Sequence, residues 1–207
     1  MGQENYDNTK MRLQILLDAY QTTKLPKVRV KQGSYLYTED AQGWAHSDGP
    51  AVVKGLQEQQ ICHMCLLGTM VLKQLTKTDP NTLKGVNFHA WDLASLKEHF
   101  DVETLALAEA LFERHVVRAA LSKFWNASEM EYEKGVNEVA HSLPRLDYTP
   151  RAQAILQHMI ENKGRVNLDQ LRRSGYIATP GTLGDKVLLV LKSYDINPFA
   201  VEQGRGG

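Results

Sequence analysis

Residues 62 to 65 read Cys-His-Met-Cys, so Cys62, His63 and Cys65 crowd both cysteines of the chain and one histidine into four positions. Thiols and imidazoles at that spacing could hold half of a tetrahedral metal site or form a redox-active pair. A structural zinc takes four ligands and needs a second pair of Cys or His. The chain has no second C-x-x-C, and its seven histidines (46, 63, 89, 99, 115, 141 and 158) include no pair at H-x3-5-H spacing. A redox thiol works best at a helix N-terminus that follows a strand, where the helix dipole lowers its pKa. The preceding "KGLQEQQ" shows no strand alternation, and apolar periodicity predicts a helix from Val53 to Thr76 with Leu56, Ile61, Cys65, Leu72 and Leu75 on one buried stripe. In that setting Cys62 and Cys65 are small apolar side chains packed on one side of a central helix. Gly68 then opens a close helix contact. The competing reading makes Cys62, His63 and Cys65 the centre of a metal- or thiol-dependent enzyme.

Other candidates for chemistry are fewer. His89 in "NFHAWD" and His115 in "FERHVVR" have carboxylates nearby and the right pKa range for a general base. Neither is accompanied by a nucleophile on a strand-turn-helix elbow, so both are expected at surfaces or helix ends. The glycines form no dinucleotide or phosphate-loop pattern, and "TPGTLGDK" at 179 to 186 has the wrong spacing. No catalytic residue is assigned, and no cofactor is expected.

The elements that would position these residues are mostly helical. "NTKMRLQILLDAYQTTK" sets Met11, Ile15, Leu16, Ala19 and Tyr20 at helical spacing and stops before Leu25-Pro26. Alternation in "KVRV" and the strand formers of "SYLYT" predict a small β-hairpin at about 28 to 45. Asp101 caps the next long helix, and Ser128-x-x-Glu131 is a capping-box pattern for a short acidic one. "SLPRLDYTP" marks a boundary, dividing a helical body at 1 to 147 from a module at 148 to 207. The latter carries eight Lys and Arg against five Asp and Glu.

Within that module the pattern gives a helix over 149 to 163, a stop at Gly164, a second helix capped by Asn167, and a third from about Thr182 carrying Val187, Leu188, Val190 and Leu191. Three short helices in this order are the layout of a helix-turn-helix. The stretch "ILQHMIENKGRVNLDQLRRSGY" resembles the front half of winged-helix effector domains. That resemblance covers about a quarter of the chain. It implies nucleic-acid contacts from Lys186 and Lys192 on the recognition helix, with Arg165, Arg172 and Arg173 near phosphates. The third helix departs from the pattern: it has no Arg, Asn or Gln to read bases, it bears Asp185, and "DINPFAVEQGRGG" after it forms no clear wing. Use of the same module for protein contact or dimer packing stands beside DNA binding. A second resemblance, carried by "ICHMCLLGTMVL" and "LKEHFDVETLALAEALFE", is to uncharacterised bacterial and bacteriophage proteins, and implies an accessory role.

Composition bounds the rest. With 43% hydrophobic and 23% charged residues the chain folds as an ordinary globular protein. Its 24 basic and 24 acidic residues remove any argument from net charge for a polyanionic partner. The longest apolar run, "VLLVL" at 187 to 191, is too short to span a bilayer, and the polar start shows no signal-peptide core. The expected protein is mainly α with a small β-hairpin, cytoplasmic and noncatalytic. Its expected partners are a protein and double-stranded DNA, with no membrane contact.

Overall fold

The computed structural model describes residues 3–33, 35–77, 79–86, 94–113, 139, 147–174 and 181–199. His89, His115, the capping box at Ser128 and the segment 175–180 lie outside them.

Helix α1 (Gln3–Thr22) buries Leu13, Leu16, Leu17 and Tyr20, the i, i+3, i+4, i+7 face of a helix set by Leu13. Met11, expected inward, is exposed, because it sits on the other side of that face. The helix ends as the Thr23 hydroxyl donates to the Tyr20 carbonyl and the chain turns through Leu25-Pro26. Strands β1 (Val28–Val30), β2 (Leu36–Glu39) and β3 (Ala45–His46) follow, then helix α2 (Gly49–Gln57), capped by the Asp48 carboxylate on the Ala51 amide.

The helix predicted over 53 to 76 is two helices with a strand between them. Helix α2 stops where Gln59 takes a left-handed φ of 57° and the Gln60 amide returns to the Gly55 carbonyl. Residues Ile61–Met64 then form strand β4, and helix α3 (Leu66–Leu75) follows directly. The strand exists because its neighbours are distant in sequence. The sheet order is β1-β4-β2-β3, with β4 parallel to β1 and antiparallel to β2. Both backbone edges of β4 are satisfied by ladders that no local periodicity records. The predicted hairpin correspondingly narrows to β2 and β3, and β1 joins β4 instead.

Gly68 does open a close approach, though to a strand connection and not to a helix. A Cβ on Gly68 would overlap the Tyr35 carbonyl oxygen, which accepts the Cys65 amide at 3.2 Å. Beyond α3 come a 3-10 turn (Pro80–Leu83), the short helix α4 (Ala94–Lys97) and α5 (Val102–Glu113), whose first turn is capped by Asp101 on the Thr104 amide at 2.7 Å. Every residue of α5 from Thr104 to Glu113 is buried.

Helix α6 (Tyr148–Glu161) is buried from Arg151 to Ile160 and packs on α1, α5 and β1. Its Ile155, Leu156, Met159 and Ile160 belong to the same apolar cluster as Leu13, Met64 and Phe112. The change in charge near residue 148 therefore does not coincide with an edge of the core. Helices α7 (Leu168–Ser174) and α8 (Asp185–Ser193) complete the described chain; α8 begins three residues later than Thr182, with Gly184 as its N-cap. The protein is mainly α with a small four-stranded sheet, and no described helix is long and apolar enough to cross a membrane.

Candidate functional site

The pleat of β4 decides what the cysteine segment can do. Successive side chains on a strand point to opposite faces. Cys62 and Met64 turn into the core, while His63 stands on the other face with Ile61. Cys65 lies just past the strand as the N-cap of α3. Cys62, His63 and Cys65 therefore do not converge on one point, and the expected single helical side for the cysteines is replaced by a strand and a helix cap. Burial pushes the Cys62 thiol up to about 12. The Cys65 thiol is raised well above its ordinary value, first by burial and then by the carboxylate of Glu109. The strand-to-helix placement is one a redox thiol would use, but only a thiolate attacks or binds metal, and both thiols are held protonated. Among the described residues no three His, Cys, Asp or Glu side chains are grouped to hold a metal ion.

On the opposite face, His63 Nε2 lies 3.0 Å from Glu39 Oε2, and the ring stacks on Tyr37, its directly paired neighbour in β2, at 4.6 Å between centroids. The His63 pKa is lowered, first by burial and then by Lys31, against the opposing pull of Glu39. A histidine beside a carboxylate resembles an acid-base dyad. Its Nδ1, however, is buried without a partner among the described residues and the residue is only 5% exposed, which does not suit proton exchange with a substrate in solution.

A buried acid lies behind the thiol. Glu109 comes from α5 and meets the Cys65 thiol and the Leu67 amide at the first turn of α3, and its Oε2 has no partner among the described residues. Burial raises its pKa to about 8, with Glu113 one turn on adding to the shift. Glu113 in turn accepts the Gly33 amide at 3.1 Å. A neutral carboxyl at this place suits the apolar packing of α3 on α5. The sequence signal was a single acid inside "LALAEAL", a run otherwise apolar.

The five basic residues expected to meet nucleic acid are all exposed: Arg165 in the α6–α7 turn, Arg172 and Arg173 in the last turn of α7, and Lys186 and Lys192 on α8. Arg165 and Arg172 share a concavity of about 430 Å³ that also takes Glu103 and Asp169 into its wall. Arg172 pairs with Asp169 at 3.4 Å. Lys186 and Lys192 belong to a helix that rests on α6 through Val187 and Leu191, and between them Leu189 is 67% exposed. The turn bearing Arg165 is held by a residue the sequence reading did not single out. The buried His158 accepts the Asn167 amide on Nε2 at 2.9 Å, and burial lowers its pKa to about 4, so it stays a neutral acceptor. Asn167 then caps α7 through the Gln170 amide at 3.0 Å.

The C-terminal helices are tied to α1. Tyr194 stacks on Tyr6 at 4.9 Å, Lys24 donates to the Gly181 carbonyl, and Gln21 donates to that of Pro198. Compared with known proteins, the chain matches no family model, no curated protein and no solved structure.

Proposed function

We propose that this chain is a noncatalytic, cytoplasmic accessory or regulatory binding protein whose C-terminal segment, used as a helix-turn-helix-like module, contacts the backbone of duplex DNA. The observation that supports this is the exposure of Arg165, Arg172, Arg173, Lys186 and Lys192, set against the buried Cys62, His63, Cys65 and Glu109. Phosphate contacts position a protein on DNA without reading its sequence. Helix α8 presents Leu189 where a base reader would carry an amide or guanidinium, so the contact is sequence-independent. Binding of a mixed-sequence duplex should fall steeply as salt rises, and Arg172→Ala with Arg173→Ala should flatten the log-log slope by about two. No retention on DNA at low salt rules this reading out.

The second reading is a protein-binding regulator of phage or bacterial origin with no DNA contact. It is favoured by two side chains that water should disfavour, Leu189 at 67% and Phe199 at 74% exposure. Leu189→Gln discriminates: it leaves phosphate contacts alone and the salt slope unchanged, whereas it weakens any complex seated on α8.

A further inference from the structure

Strand β1 lies at one edge of the sheet, with β4 on its only paired side among the described residues. The Cys62 amide donates to the Lys27 carbonyl and the Lys31 amide donates to the Met64 carbonyl. In a parallel ladder the residues between these alternate in direction. The backbone groups of Val28 and Val30 therefore point away from the sheet. The Val28 amide is used by the turn, donating to the Leu25 carbonyl, and the Val28 carbonyl accepts from the Arg29 guanidinium at 3.1 Å. Val30 keeps both its N–H and its C=O without a partner among the described residues. Alongside them runs a groove of about 540 Å³, bounded by residues 28 to 32 on one side and by Tyr148 and Thr149 at the start of α6 on the other.

Charge along this edge has one sign. Lys27, Arg29 and Lys31 are exposed on one face of β1, alternating with the buried Val28 and Val30, and none of the three meets a carboxylate among the described residues. Basic residues on an edge strand repel a second basic strand and discourage self-pairing. Toward an acidic strand the same three cations have the opposite effect. An added strand would place every second side chain beside them, and the alternate ones beside Val28, Val30 and the α6 wall.

We infer that the open edge of β1 takes an extended acidic peptide as an added strand, with acidic side chains alternating with apolar ones. Main-chain pairing at Val30 supplies affinity and the cationic face supplies selection, which is the usual division in strand addition. This surface is separate from the basic residues of α7 and α8.

The test uses the full chain and two dye-labelled peptides, one alternating Glu and Val, the other alternating Lys and Val. Anisotropy should show saturable binding of the acidic peptide only, and hydrogen exchange should show the Val30 amide slowed at least several-fold on binding. Arg29→Glu with Lys31→Glu should reverse the preference to the basic peptide. The two side chains are exposed, so a cooperative unfolding transition confirms the variant's fold even where the loss of the Arg29 hydrogen bonds lowers its midpoint. Absence of acidic-peptide binding at about 1 mM, binding without protection of Val30, or an unreversed preference in the folded variant each overturns the inference.

Discussion

At the scale of single residues, Glu109 is the side chain whose environment departs furthest from its chemistry. Its carboxyl is buried with one oxygen unpartnered among the described residues, and its pKa is raised to about 8 in the folded protein. Unfolded, it would titrate near 4.3. The folded state thus binds the proton more tightly, so stability from this group is full below about pH 4, declines as pH rises toward 8, and levels off above it. Above the range in which the unfolded histidine titrates, the unfolding free energy from urea titrations at pH 7 to 9 should fall by about 1–2 kcal/mol in the wild type, and Glu109→Gln should remove most of that slope. His158 titrates the other way. Its folded pKa is depressed to about 4, so acid costs stability as pH falls from about 6.5 to 4, the window in which the unfolded histidine takes up a proton. For the thiols the expectation is packing: Cys62→Ala with Cys65→Ala should lower stability by about 1–3 kcal/mol and leave the salt slope of DNA binding unchanged. Loss of DNA binding in a folded double variant would contradict that role.

At the scale of elements, β4 explains why the cysteine segment looks active in one dimension and inert in three. The alternation of Cys62 and His63 across the sheet separates the donors that the sequence places side by side. The helical stripe through Leu56, Ile61 and Cys65 matches a period that the backbone does not adopt, because pairing with β1 and β2 outweighs a modest local preference. Gly68 is the position where this arrangement is most sensitive. Adding a methyl there forces the Tyr35 carbonyl away from the first turn of α3 and strains the Cys65 amide bond to it. Gly68→Ala should therefore destabilise by about 1–3 kcal/mol despite the higher helix propensity of alanine, read as a lower unfolding midpoint. A stabilised Gly68→Ala protein would mean that the loop yields freely. In α7 the Asn167 cap and the His158 acceptor act in series, and Asn167→Ala should cost about 1 kcal/mol.

At the scale of the whole molecule, α6 is as much a part of the core as α1. Leu156 and Ile160 share one apolar cluster with Leu16 and Phe112, and Gln153 donates to the Thr23 hydroxyl at 3.0 Å. A chain cut after residue 147 should lose cooperative unfolding and expose apolar surface to dye, whereas a body that folds alone would melt sharply. Much of this fold was legible beforehand. The helix of α1 and its end before Leu25-Pro26, the buried face of α6, the Asp101 and Asn167 caps, the Gly164 stop and the exposure of the basic set all follow from local chemistry, since propensity, capping and charge act over a few residues. The strand at 61 to 64, the opposite facing of Cys62 and His63, the buried Glu109 and the open edge of β1 depend on partners tens of residues away. Those were decided only by tertiary structure, because hydrogen-bond ladders and burial are set by what the folded chain brings together.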